Sequence, residues 1–371
     1  MSNTDKPDQN GLIVSGVRST TVFNGNAQLG SNNVPANDTK KVVLFTGDNG
    51  TSHAVLNKLI PELLDAGIEP IVLLTPGTHS PKAKIPEIKD FSFFETGILE
   101  SIYDYVENSK PLLDHHGAPR EDMQYSLNQL AALYNVQIAK IDNVNDPALI
   151  SQIAEDPSII GAVSVKNYKL FCPEAIETLK EDGKFLWNVH TGELPAFRGV
   201  FIPVRVMQDD KNEYGWTLHE VDEGIDTGAV IDIRTRRLKE GDTALNAYFG
   251  MVGKGADMIA DNVKLAAKAM PRPPIPQDHD QARYFSFPTA EEIHALEEKN
   301  PPQHLYDQEE MIKYYLEQFS DPDYPNHANG LYFTIQGAID DYKNGSAPQR
   351  RPQLYTSNNK STDADYGADP V

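Results

Sequence analysis

Cysteine is almost absent: Cys172 is the only one in 371 residues, so neither an intrachain disulfide framework nor a site of several thiolates can form. Such usage fits a chain kept in a reducing compartment, and a cytoplasmic location is the expectation. Long apolar runs are missing too. None reaches about 18 residues, the length a membrane span requires, and the opening stretch is rich in Asn, Ser, Thr and Gly, which argues against a signal peptide. Basic residues are scarce, with 33 Lys and Arg against 54 Asp and Glu and a formal net charge of −21. A surface this acidic repels phosphate backbones and disfavours general nucleic-acid binding. The tight basic clusters, Arg234, Arg236 and Arg237 with Lys239, and Arg350 with Arg351, read as solvated ends of a strand and of a tail.

What is present suffices for a large core, since 39% of the chain is hydrophobic and 23% charged. Residues 1–39 have neither the two-residue nor the 3.6-residue apolar period and read as a flexible leader. Lys41 to Thr46 is a continuous apolar run of the kind covered on both faces, followed by the turn Gly47 to Ser52, a helical spacing from Val55 to Leu64, a stop at Gly67 and a second apolar strand, Ile68 to Thr75. That is one βαβ unit. Residues 76–119 are irregular, with a helical patch from Ile98 to Val106. The rhythm then resumes with a helix over Tyr125 to Tyr134, a strand over Val136 to Ile141, a helix over Pro147 to Glu155, a strand over Ile159 to Val165, a helix from Pro173 and a strand over Phe185 to Val189.

The predicted class is α/β, a Rossmann-like, doubly wound, mostly parallel sheet. Tyr214 to Val221 and Ala229 to Arg234 read as paired strands, and Asp242 to Ala269 as one long helix ended by the proline-rich Pro271 to Pro276. The expected division is a leader (1–39), a catalytic domain (40–270), an acidic helical extension (271–330) and a loosely ordered tail (331–371).

Asn188 and His190 stand two apart at the end of an apolar strand, so their side chains leave the same face. An amide and an imidazole placed together over a sheet edge suit acyl transfer, because both can donate to the oxygen that gains charge when a nucleophile attacks a carbonyl. A carboxylate beside the imidazole would orient it and accept protons. Asp226 is a candidate, although from spacing alone it could equally be a turn former ahead of Gly228.

The ordered set N-V-H-x-G-x-L-P-x-x-R-G from Asn188, then G-x-T-x-H from Gly215, then D-x-G from Asp226, resembles the signature of the folate-dependent formyltransferase superfamily. The resemblance covers roughly residues 41–269. It implies 10-formyltetrahydrofolate as co-substrate, no metal, and a catalytic set of Asn188, His190 and Asp226. It further implies that Lys169, Leu170 and Phe171, with Asp222, Glu223 and Gly224, grip the pterin ring mainly through backbone groups, and that Thr217 and His219 support the active-site loop. Arg198 reads as a local cap or pair.

Where the family usually has a proline after the histidine, this sequence has Thr191, and Glu193 stands at a position often small or apolar. The Gly47 to Ser52 turn resembles the phosphate-binding turn of the ribonucleotide-acting branch, with an ordinary βα turn at least as well supported. His115-His116 lacks a third ligand at recognisable spacing and reads as a surface loop.

The acceptor implied is a primary amine on a small molecule, foremost a nucleotide-linked amino sugar. Membrane and nucleic-acid partners are not expected, and a homodimer is left open. The alternatives are a methionyl-tRNA formyltransferase-like enzyme, which the acidic extension opposes, a formyltetrahydrofolate deformylase, and a folate-binding protein without turnover.

Overall fold

The apolar run after Thr39 forms strand β1 (Lys40–Gly47), and its turn opens helix α1 (Gly50–Asp65), where the Asn49 side chain accepts from the Ser52 N–H and supplies the N-cap. The computed structural model describes residues 39–75, 85–109, 113–114, 117–120, 122–167, 169–320 and 325–345. The expected leader up to residue 38, His115-His116, Arg350-Arg351 and everything beyond residue 345 lie outside the described residues.

Chain order continues with β2 (Ile68–Thr75), α2 (Pro86–Ser92), a π-helical turn (Phe93–Gly97), α3 (Ile98–Glu107), α4 (Leu127–Tyr134), β3 (Gln137–Lys140), α5 (Pro147–Glu155), β4 (Ile159–Val165), α6 (Pro173–Glu181) and β5 (Phe185–His190). The second half holds β6 (Arg198–Gly199), α7 (Ile202–Gln208), β7 (Glu213–Glu220), β8 (Val230–Arg237), α8 (Ala244–Phe249), α9 (Val252–Ala267), β9 (Tyr284–Phe285), α10 (Ala290–Glu297), α11 (Gln308–Phe319) and α12 (Pro325–Lys343).

Seven strands form one sheet in the order β3-β2-β1-β4-β5-β7-β8. β3 to β5 are parallel, whereas β7 runs antiparallel to β5, and β8 antiparallel to β7. Chain direction across the sheet reverses between β1 and β4, the switch point beyond whose carboxyl ends ligands sit in open α/β sheets. Alternate residues of each strand feed two apolar layers. Val43, Phe45, Leu73, Ala162 and Leu186 pack under α5 and α6, while Leu44, Val72, Val163, Trp187 and Trp216 join the larger layer with α1 and α9. No described helix is long and apolar enough to cross a membrane.

Three expectations need correction. The helix expected over 242–269 is two, broken at Gly250-Met251, because the Arg236 guanidinium sits on the last carbonyls of α8, 3.1 Å from the Asn246 oxygen and 3.3 Å from that of Ala247. The same contact removes Arg236 from the solvated cluster: it also pairs with Asp242 at 2.5 Å, and Arg234 pairs with Asp232 and Asp261. Residues 331–343 are not a loose tail. They belong to α12, whose Leu331, Ile335 and Ile339 are buried and whose Tyr342 stacks on Phe93 with ring centroids 4.1 Å apart. Helices α10 and α11 likewise bury Ile293, Leu296, Tyr315 and Phe319 in the same layer as α1, so residues beyond 270 share the core of those before it.

Candidate active site

The antiparallel pairing of β5 with β7 sets Asn188 opposite His219 and His190 opposite Thr217. Since side chains alternate along a strand, all four leave the face that Leu186 shares with α5 and α6, at the edge where the apolar layer ends. Asp226 lies in the loop between β7 and β8 and returns to this cluster in a left-handed backbone conformation, φ 56°. For a non-glycine residue that conformation is held against strain of about 1–3 kcal/mol.

His190 is 6% exposed, and its Nε2 lies 2.6 Å from the Phe197 carbonyl oxygen, so that nitrogen carries the proton and donates. Nδ1 faces Asp226 Oδ1 at 3.4 Å. The other carboxylate oxygen of Asp226, Oδ2, accepts from the Gly199 N–H at 3.0 Å, which fixes the plane of the carboxylate. His219 Nδ1 donates to the Glu220 carbonyl at 2.8 Å, leaving Nε2 to accept from Asn188 Nδ2 at 3.1 Å. This bond turns the amide so that its NH2 lies in the cluster, with one N–H used by His219. His219 Nε2 is also 3.8 Å from Asp226 Oδ1.

Burial drives the His219 imidazole down to about 4 from an ordinary 6.5, against the opposing pull of the Asp226 charge. His219 is therefore neutral at pH 7 and serves as an acceptor. Between those two values the unfolded chain binds a proton that the folded one refuses, so stability is full above pH 6.5 and falls as pH drops toward 4. Urea unfolding from pH 7 to 5 is expected to show this slope in the wild type and to lose much of it in His219→Gln.

The remaining predicted residues divide by what holds them. Thr217 braces the loop after β5: its hydroxyl donates to the Gly192 carbonyl at 2.7 Å and accepts from the Leu194 N–H at 3.1 Å. Phe171 packs edge-on against Phe45 at 5.2 Å, and both it and Val221 flank the apolar layer below the cluster, so the two loops expected to grip a pterin border the same apolar layer. Leu170 stands 68% exposed on one loop and Ile225 44% exposed on the other.

Several backbone groups expected for the ring are used internally. The Asn167 side chain takes both the N–H and the carbonyl of Lys169, and Asn145 takes the Leu170 carbonyl. Asp222 is a loop staple, its Oδ1 accepting from the Gly224 N–H at 3.1 Å and the Thr227 hydroxyl at 2.5 Å. Glu223 is exposed.

The Gly47 to Ser52 turn behaves as an ordinary βα turn. Burial alone would raise the Asp48 carboxyl, but the hydrogen bond and charge of His53, with Lys140, outweigh it and hold the group well below the usual carboxylate range. Glu95, from the π-helical turn, accepts from Thr51 at 3.3 Å and pairs with Lys166 at 2.8 Å. A phosphate arriving at the first turn of α1 would meet two of the protein's own carboxylates.

Three partners of the cluster were not predicted in that role from the sequence: the Phe197 carbonyl, the Gly199 N–H, although Gly199 stands in the quoted motif, and Gln277. The first two are backbone groups, which leave no side-chain signature. Arg198, read as a local pair, reaches Gln277 and His279 instead. Glu193 is half-buried with its carboxyl raised by burial and by Glu213, and its side chain runs over Gly215, where a Cβ would lie 2.5 Å from Glu193 Cγ.

Gly192 is required for a similar reason. A Cβ there would stand 2.6 Å from the Phe197 oxygen and 2.8 Å from His190 Nε2, wedged into the bond that orients the imidazole. Gly192→Ala is expected to destabilise by about 1–3 kcal/mol and to lower turnover about tenfold or more, as a misplaced reacting group does. Chemical denaturation and steady-state kinetics check the two effects separately.

No protein-family model matches the chain. Among solved structures, the chain is similar to a sugar 3-N-formyltransferase crystallised with dTDP and 5-N-formyl-tetrahydrofolate, at 20% identity over 67% of this chain and 70% of that one, TM-score 0.42. It is similar also to an N-formyltransferase from Helicobacter canadensis in complex with folinic acid and dTDP-3-aminofucose, at 19% identity over 66% and 70%, TM-score 0.41. A third is glycinamide ribonucleotide transformylase 1 from Symbiobacterium toebii, at 14% identity over 66% and 96%, TM-score 0.42.

Proposed function

We propose that the protein is an N-formyltransferase that moves a formyl group from 10-formyltetrahydrofolate to a primary amine on a small molecule, foremost a nucleotide-linked amino sugar. The observation that carries this reading is the meeting of Asn188, His190 and Asp226 at the end of β5, in the motif order that resembles folate-dependent formyltransferases.

The donor fits the surroundings of the cluster: Leu170 and Ile225 offer uncovered apolar surface on loops that border the same apolar layer, of the kind a flat heteroaromatic ring covers. When bound, it supplies an activated formyl carbon. The rest falls to the chain. The second N–H of Asn188, which no described residue uses, donates to the formyl oxygen as negative charge gathers there. With Nε2 tied to Phe197, His190 has Nδ1 left to act, and with a proton carried there, beside the Asp226 carboxylate, it donates to the same oxygen. Asp226 takes the proton that the acceptor nitrogen loses as it bonds to the formyl carbon, and passes that proton to the donor nitrogen as the bond between the donor nitrogen and the formyl carbon breaks.

The test is incubation with 10-formyltetrahydrofolate and a panel of nucleotide-linked amino sugars, following tetrahydrofolate release and the formylated product. Release that requires an amine and yields formamide supports the reading. Release at the same rate without amine makes the protein a hydrolase of the donor, and no release with any amine overturns the proposal.

A further inference from the structure

Gln277 lies 51 positions beyond Asp226 in the chain, past the proline-rich segment, yet it touches the catalytic loop directly. Its Nε2 donates to the Asp226 carbonyl at 2.9 Å and to the Gly228 carbonyl at 2.7 Å, using both amide hydrogens. Its Oε1 accepts from Arg198 Nη2 at 2.7 Å and Nε at 3.3 Å. Gln277 and Arg198 are each 8% exposed, so these bonds are shielded from water and neither partner has solvent as a substitute. The segment is pinned on both sides. Ile275 exchanges two backbone hydrogen bonds with Val230, and the strand pair β6 and β9 lays Arg198-Gly199 against Tyr284-Phe285.

The dipeptide Arg198-Gly199 therefore reaches Asp226 by two routes. The Gly199 N–H holds its carboxylate, and the Arg198 guanidinium holds Gln277, which holds its carbonyl. The backbone of Asp226 is left-handed, a conformation that persists only where its surroundings enforce it. Gln277 bridges the carbonyls of residues 226 and 228, across the turn that this conformation creates.

We infer that Gln277, oriented by Arg198, is a positioning residue for the reaction: it fixes the backbone of Asp226 so that the carboxylate faces His190. This inference rests on the formyltransferase reading for its kinetic part and on geometry alone for the rest.

Two substitutions separate positioning of Asp226 from simple support of Arg198. Gln277→Glu keeps the shape and pairs with Arg198 as an ion pair, but turns both donors into acceptors facing carbonyls. Gln277→Met keeps the volume and loses every bond. In folded variants of both, kcat is expected to fall about 10- to 100-fold, the scale of a displaced catalytic group, with KM for the folate donor within about threefold of wild type. Wild-type kcat in Gln277→Glu would limit the residue to holding Arg198 and overturn the inference.

The second readout needs no turnover. The ring nitrogens of 15N-labelled His190, followed by NMR in the full chain, report where the Asp226 carboxylate stands. A displaced Nδ1 resonance in both variants, with thermal unfolding still cooperative, supports positioning, and an unchanged Nδ1 resonance overturns it. If the wild type transfers no formyl group to any amine, the functional reading fails while the NMR comparison still decides the role of Gln277.

Discussion

His190→Ala is expected to lose about 100- to 1000-fold in kcat, the usual effect of removing one donor from an oxyanion site, while remaining a folded protein. The imidazole spans two fixed points, the Phe197 carbonyl and the Asp226 carboxylate, and alanine reaches neither. Leaving the Phe197 carbonyl without its donor costs about 1–3 kcal/mol of stability, which a domain with two apolar layers tolerates. Asn188→Ala should reach a similar loss by a different route, since it frees His219 Nε2 as well as removing the amide. Circular dichroism with denaturant melts would establish that both variants fold. Turnover within a few-fold of wild type in either one would remove the oxyanion role.

Asp226→Asn carries the second large effect. The amide oxygen can still accept from the Gly199 N–H, and the bonds from Gln277 to the backbone are untouched, so the loop keeps its place. What disappears is the negative charge 3.4 Å from His190 Nδ1 and the group proposed to take a proton from the acceptor amine. General acid–base catalysis contributes about 100- to 10,000-fold, and kcat is expected to drop within that range with KM little changed. A loss confined to KM would assign Asp226 to binding instead.

Much of the sheet could be read from periodicity because its strands are buried on both faces and its helices begin at clear signals. Helix α5 starts at a proline capped by Asp146, and β4 is a run of apolar and small residues, so both appear at their predicted limits, Pro147–Glu155 and Ile159–Val165. The break between α8 and α9 was hidden because Arg236, which causes it, comes from a different strand. Helix α12 does carry a helical apolar spacing, Leu331, Ile335, Ala338 and Ile339, but polar sequence surrounds it, and its burial against α3 and the π-helical turn lies outside any local pattern.

The site shows the same division. Asn188 and His190 stand two apart at a strand end, and the resemblance of the surrounding motif singles them out. The roles of their partners are not marked in this way, because Phe197 and Gly199 act through the backbone and Gln277 is placed by a strand pairing that no local pattern encodes. Glu95 was illegible for a related reason: nothing nearby in sequence links it to Lys166 or Thr51.

Helix α12 has a bearing on how the chain is made. It closes over α3 through Tyr105, whose hydroxyl donates to the His327 carbonyl at 2.9 Å, and over α2 and the π-helical turn through Tyr342, whose hydroxyl donates to Asp90 at 2.8 Å while its ring stacks on Phe93. Those partners are translated more than two hundred codons earlier. The part of α3 that α12 covers therefore stays open for most of synthesis, and this layer of the core closes only after α12 has been translated.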